Sequence, residues 1–223
     1  MILLPGLIWA SAIHTRPFFM SLKCSERPAD CQAQDVNALD RFAIGRQNDR
    51  IDGYSFTTQY GAGYLAVGIP AAWMIARAVL RLSSPTLALA EFGVDFLVLA
   101  EATLWNGVSM EAVRLTVQRP RPFVFQDPVH FGTNPAHYTS FYSGHTSFAA
   151  LASASSFLAI AGRGAPPLAL VATGAIGVVM IVLTGVFRVV AGRHYPTDTI
   201  AGAIAGLFIA GLLAWLHRRK PAG

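Results

Sequence analysis

Three short stretches of this chain combine residue types that can do chemistry on an anion. The first is Arg114-Leu115-Thr116-Val117-Gln118-Arg119-Pro120-Arg121-Pro122. Arg114 and Arg121 stand seven residues apart and share a face if a helix persists between them. Pro120 and Pro122 end such a helix and fix the chain beyond it, so the two guanidiniums form a rigid fork for a phosphate's oxygens. Taken alone, a basic cluster snorkelling to lipid head groups explains the same residues more readily. The second stretch is Tyr142-Ser143-Gly144-His145, directly before an apolar run. Ser143 suits a helix cap, and Gly144 lets the backbone approach a ligand closely. The first N–H groups of that helix then face an anion, with His145 beside them to protonate a leaving oxygen. An ordinary serine cap followed by an interfacial histidine accounts for this stretch equally well.

The third stretch runs Arg188-Val189-Val190-Ala191-Gly192-Arg193-His194-Tyr195-Pro196-Thr197-Asp198. Asp198 follows His194 by four residues, close enough to accept a hydrogen bond from its Nδ1–H. A carboxylate so placed fixes the tautomer and leaves Nε2 free as a nucleophile. The bland alternative is a loop with a capping aspartate and a surface histidine. Together the three stretches hold what phosphoryl transfer needs: cations for the non-bridging oxygens, a nucleophile, and an acid for the leaving group.

The elements that must position these residues are apolar. Of 223 residues, 53% are hydrophobic and 13% charged, against about 25% charged in an ordinary soluble domain. Five segments approach the length of a membrane-spanning helix: about 61–81, 85–105, 145–161, 167–187 and 197–216. The links at 82–84 and 162–166 are so short that the helices they join are antiparallel neighbours. Gly202 and Gly206 form a small-xxx-small pair that allows close helix packing. Residues 2–12 are apolar but short, and read as a signal peptide, a sixth helix or an interfacial segment. The expected architecture is all-α: a polytopic transmembrane bundle of five to six helices with a histidine phosphatase site at one membrane face. Residues 1–60 form an N-terminal apolar segment, signal-like or a first helix, plus a polar extracytoplasmic segment. Residues 61–223 form the transmembrane domain. Around 36–44 weak helical patterning suggests a short amphipathic helix on the membrane surface.

The net charge of +5 is modest, and the 17 basic residues form neither a solvated run nor a basic helix. Nucleic-acid binding therefore has little support. Arg77, Arg81, Arg163 and the run His217-Arg218-Arg219-Lys220 fall at one set of helix ends, which makes that side cytoplasmic. All three chemical stretches then face outward, as do Cys24 and Cys31, whose pairing the sequence leaves open.

At this point the residues resemble the type 2 phosphatidic acid phosphatase superfamily. Its pattern is Lys-x6-Arg-Pro, then Pro-Ser-Gly-His, then Ser-Arg-x5-His-x3-Asp. Here it reads Arg114-x6-Arg121-Pro122, then Tyr142-Ser143-Gly144-His145, then Phe187-Arg188-x5-His194-x3-Asp198. The resemblance implies that Arg114, Arg121 and Arg188 bind phosphate, and that Ser143 and the Gly144 backbone hydrogen-bond its oxygens. It implies that His194 attacks phosphorus to form a phosphohistidine, that Asp198 orients it, and that His145 protonates the departing group. No metal and no cofactor are implied. The implied protein is a hydrolase of lipid phosphate esters or diphosphates in a bacterial-type inner membrane, with its site facing the periplasm or outside. Its partner is a membrane lipid: phosphatidate, phosphatidylglycerophosphate, a polyprenyl diphosphate or a lipid A phosphate.

Arg114, Tyr142 and Phe187 replace the family's lysine, proline and serine. The last two give footing to a degenerate protein that only binds anionic lipid. A vanadate-dependent haloperoxidase is the remaining alternative, set back by the short, membrane-embedded chain. Glu91, Asp95 and Glu101, inside the second apolar segment, line the bundle interior, pair with an arginine, or lie where that helix is tilted or partly exposed, the last being the expectation.

Overall fold

The structure, a computed structural model of the chain, describes residues 3–217. The basic residues Arg218 to Lys220 of the terminal run lie outside the described residues. Six long helices account for most of the fold: α1 (Leu3–Phe19), α2 (Asp49–Val79), α3 (Pro85–Val117), α4 (Gly144–Gly162), α5 (Pro167–Val190) and α6 (Pro196–Leu216). There is no strand among the described residues. By length and composition α2, α5 and α6 are apolar enough to cross a membrane.

Local chemistry sets the helix ends. Pro85, Pro167 and Pro196 each open a helix, where a missing N–H costs nothing. Ser84 and Ser143 cap α3 and α4 through their side chains. Helix α3 ends at Gln118, which takes a left-handed conformation just before Arg119-Pro120. Helix α2 begins at Asp49 rather than near residue 61, because its first turns are polar and carry no hydropathy signal. Asn48 caps it by accepting from the Ile51 N–H.

Helix α4 is the centre of the bundle and packs against α2, α5 and α6. Its contact with α6 is close because Gly202 and Gly206 present bare backbone. A Cβ on Gly202 would sit 2.6 Å from the Ser143 carbonyl oxygen, and one on Gly206 would strike the Ser147 carbonyl. Helix α1 lies along α3, with the Trp9 ring laid over Gly107 and Arg16 paired with Glu111.

The segment between α1 and α2 contains the stretch 36–44, where a short helix was expected. There the helix is a single turn, Ala38–Arg41, preceded in the same segment by the short turns Lys23–Glu26, Pro28–Asp30 and Ala33–Asp35. Val36 and Ala43 are buried against Val189 and Tyr195, while Leu39 and Phe42 are exposed. Cys24 and Cys31 form a disulfide in this segment, with Cα atoms 5.5 Å apart, buried against Phe123, Val124 and Tyr138.

Glu91 and Asp95 of α3 are partly exposed, as expected, and each also pairs with an arginine, while Glu101 is buried beside His217. Glu91 meets Arg77 and Arg163, Asp95 meets Arg163 at 3.0 Å, and Glu101 meets His217 at 2.9 Å. Pairing is the cheaper solution for a carboxylate withdrawn from water.

Candidate active site

The three chemical stretches come from the ends of α3, α4, α5 and α6 that lie on one side of the bundle, and the fold brings them into one cluster. Arg114 is buried at the end of α3 and its Nη1 donates to Glu111 at 3.0 Å. Gly144 is what lets it reach the start of α4, because a Cβ there would lie 3.1 Å from Arg114 Nη2. Arg188, at the end of α5, pairs with Asp52 of α2 and lies 3.4 Å from Ser55 Oγ. Arg121 lies in the loop after α3, donating to the Arg193 carbonyl and to Thr139 Oγ1, both at 3.2 Å. Burial, and then its neighbours Arg188, Arg114 and Arg193, hold the Arg121 guanidinium down at a pKa of about 9.

Ser143 caps α4 and its own N–H donates to the Asp198 carbonyl at 3.0 Å, tying the second stretch to the third. His145 follows in the first turn, its ring edge-on to Phe56 with centroids 4.4 Å apart. It lies within electrostatic reach of Arg188, His194, Arg121 and Arg114.

His194 is 1% exposed, so it is no surface residue. Its Nδ1 lies 2.7 Å from the Ser140 carbonyl oxygen, while Asp198 Oδ2 is 3.5 Å away. The nearer acceptor is thus a backbone carbonyl, which fixes Nδ1–H and leaves Nε2 with the lone pair. Asp198 is wholly buried and does cap the helix, taking the Tyr195 N–H at 2.9 Å. It also accepts from Ser140 Oγ at 2.6 Å and from Arg119 at 2.6 Å. Burial, and then the charges of Arg121, Arg188 and Arg114, hold the His194 imidazole well below the ordinary histidine range. It is therefore neutral at physiological pH, as a nucleophile must be.

Among the described residues, the arginines and histidines of this cluster leave three buried atoms without a hydrogen-bond partner: Arg114 Nε, Arg188 Nε and His145 Nε2. Buried polar atoms are nearly always paired, so their orphaned state points to a polar ligand. Two of the three belong to guanidiniums, and that ligand chemistry is anionic. Among the described residues no three His, Cys, Asp or Glu side chains gather as a metal ion would need.

A model of the PAP2 superfamily matches residues 95–222, more than half of the chain. The chain belongs to the PAP2 superfamily. The PAP2 region starts inside α3 and takes in all three stretches, whereas α1 and α2 precede it. The superfamily comprises phosphoesterases, which makes the chain, at that coarse level, a hydrolase of phosphate esters. No curated protein and no solved structure is similar enough to match.

Several side chains that build the site carried no functional reading in the sequence. Glu111, three residues before Arg114, had a helical pair spacing that was open to view. Asp52 and Asp40 had no such signal, since each meets its arginine only through the tertiary fold. Tyr142 and Phe187, at positions where the family pattern differs, have local roles. Tyr142 Oη reaches Ser109 Oγ at 3.3 Å, and the Phe187 ring lies 6.0 Å from that of Tyr54.

Proposed function

We propose that the chain hydrolyses a phosphomonoester or diphosphate of a membrane lipid through a phosphohistidine on His194. The observation that carries this reading is the trio of orphaned polar atoms, Arg114 Nε, Arg188 Nε and His145 Nε2, buried around a neutral histidine. In this reading Arg114, Arg121 and Arg188 take the non-bridging oxygens, and Ser143 and the Gly144 N–H complete the cradle. The Nε2 lone pair of His194 attacks phosphorus as the bond to the lipid oxygen breaks. His145 gives that oxygen its proton. A water then attacks the phosphohistidine, His145 takes the water's proton, and inorganic phosphate leaves.

The chemistry sits at the outer face of a cell membrane, in a bundle of five to six crossings. Two features support that orientation. Arg77, Arg81 and Arg163 mark the other end as cytoplasmic, and the Cys24–Cys31 disulfide lies on the site's side, which suits an oxidising compartment. A lipid substrate keeps its tails in the bilayer while its phosphate enters between the helix ends.

The test is phosphate release by the detergent-purified chain from phosphatidate, phosphatidylglycerophosphate and farnesyl diphosphate, with chelator present. The expected result is release from at least one lipid and a loss of at least about 10⁴-fold in His194→Ala. Release that survives in His194→Ala overturns the histidine mechanism. Binding of these lipids without any turnover by the parent would make the chain an anionic-lipid-binding relative instead.

A further inference from the structure

We propose that Arg119, itself held by Asp40, is a positioning residue for the Asp198–His194 pair, and that Asp40 brings the extracytoplasmic segment into the catalytic apparatus. The inference rests on the phosphatase reading of His194 and goes beyond it by adding two residues that never touch substrate.

The geometry is a chain of charges. One arm of the Arg119 guanidinium, Nη1, donates to Asp198 Oδ1 at 2.6 Å and to Thr197 Oγ1 at 2.8 Å. The other arm, Nη2, donates to Asp40 Oδ2 at 2.7 Å. The guanidinium sits over the Tyr195 ring, its central carbon 3.9 Å from the centroid. Asp40 accepts in addition from the Thr197 N–H at 3.0 Å, from Thr197 Oγ1 at 2.6 Å and from Asn37 Nδ2 at 2.7 Å. Both carboxylates are completely buried, with no exposed surface. A buried carboxylate survives only with a cation and hydrogen bonds around it. Arg119 supplies that cation to two of them at once.

The arrangement has a chemical consequence. Oδ2 of Asp198 takes Ser140 Oγ and the Tyr195 N–H, and the Ser140 carbonyl takes His194 Nδ1. Turning Asp198 would therefore shift Ser140 and with it the imidazole. Arg119, gripping Oδ1, stops that turn. Asp40 does a second thing: its charge offsets that of Arg119, so the negative charge of Asp198 is not cancelled beside His194. Within this group two carboxylates and one guanidinium leave one net negative charge, set against Arg121, Arg188 and Arg114, which also act on the ring. That charge stabilises the cationic character the imidazole gains when Nε2 bonds to phosphorus. Burial works against the charged form of both outer groups. Even so, the carboxylates lift the Arg119 pKa above its ordinary value, and Arg119, Thr197 and Asn37 hold Asp40 below its own.

A positioning role affects the chemical step and spares phosphate binding, which depends on Arg114, Arg121 and Arg188. The experiment measures kcat, KM and inhibition by inorganic phosphate for the parent, Arg119→Ala, Arg119→Lys and Asp40→Asn, using the most rapidly hydrolysed of the three lipids. Thermal melting in the same detergent establishes which variants are folded. Arg119→Ala is expected to lower kcat on the order of 100-fold, because misplacing reacting groups is costly even when binding survives. KM and the phosphate inhibition constant should stay within about twofold of the parent. Lysine keeps the charge but not the two-armed fork, so Arg119→Lys should recover part of the loss. Asp40→Asn should show the same split with a smaller fall in kcat. If Arg119→Ala does not yield folded protein, Arg119→Lys and Asp40→Asn report the same split. Parental kcat in the folded Arg119 and Asp40 variants overturns this inference alone. So does a loss shared equally between kcat and phosphate binding. A parent without turnover overturns the phosphatase reading and this inference with it.

Discussion

The two ends of the helical bundle use the same side chains to opposite effect. At the end marked by Arg77 and Arg163, these two arginines and the acids of α3 neutralise one another. Arg77 meets Glu91, Arg163 meets Asp95 and Glu91, and His217 meets Glu101. At the other end each of several arginines also has an acid: Arg114 has Glu111, Arg188 has Asp52, Arg119 has Asp40 and Asp198. There the pairing is incomplete. Arg121 has only a carbonyl and a hydroxyl among the described residues, and the Nε groups of Arg114 and Arg188 are buried without partners. Burial sharpens the contrast, since the Arg188 side chain is 5% exposed and that of Arg163 25%. A partly exposed pair is satisfied by its acid and by water together. A buried guanidinium with a spare donor is oriented by its acid and still has a donor for something else.

Truncating one arginine at each end separates the two roles. Arg188→Ala is expected to lower kcat/KM by roughly 10²–10³-fold, the cost of removing one preorganised charge contact to a developing anion. Phosphate release from the preferred lipid measures it, and near-parental turnover would remove Arg188 from the site. Asp52→Asn should cost less, because the guanidinium remains and only its orientation loosens. Arg163→Ala should leave turnover at the parental level and lower stability instead. The expected loss is on the order of 1 kcal/mol, since Asp95 is left unpaired but can still reach water. Thermal melting in detergent reads this, and a turnover loss as large as that of Arg188→Ala would erase the distinction between the ends.

The sequence made one side of this contrast far more legible than the other. Arg114, Arg121, His145, Arg188, His194 and Asp198 stand in compact stretches with fixed internal spacing, so their types and order could be read directly. The apolar helices could be read as well, from hydropathy alone. What could not be read is whatever depends on chain segments far apart meeting in space. Asp52 reaches Arg188 across the fold, Asp40 reaches Arg119, and Arg16 reaches Glu111. A carbonyl is invisible for a different reason. Every residue has one, so nothing in the sequence marks the Ser140 carbonyl as the acceptor for His194 Nδ1. The polar start of α2 escaped because hydropathy detects lipid-compatible turns and is silent on helical turns that face water or other polar groups.

The smallest effect concerns pH, and it tests whether the cations around His194 act on their surroundings as those at the Arg163 end do not. Burial and the charges of Arg121, Arg188 and Arg114 hold the His194 pKa well below its ordinary 6.5. The sign follows from proton counting. Once unfolded, the imidazole takes up a proton as pH falls through about 6.5, while in the folded chain it stays neutral. The unfolded state then binds more protons, so His194 makes stability fall as pH drops below that value and contributes no slope above it. Asp40 acts in a lower window. Its carboxyl is held below 3.8, so the stability it contributes is present above that value and lost as pH falls beneath it. Melting temperature in detergent between about pH 5 and 8 leaves Asp40 out of the comparison, because it is ionised in both states across that range, and the His194 variant then separates that residue from the other histidines. The parent curve is expected to bend downward below about pH 6.5, and His194→Gln should remove part of the bend while running parallel above pH 7. Arg163→Ala, lowered uniformly, should keep the whole bend. Curves for parent and His194→Gln that run parallel throughout would mean that the arginine cluster does not hold His194 neutral. The electrostatic difference between the two ends would then lie in side-chain orientation alone.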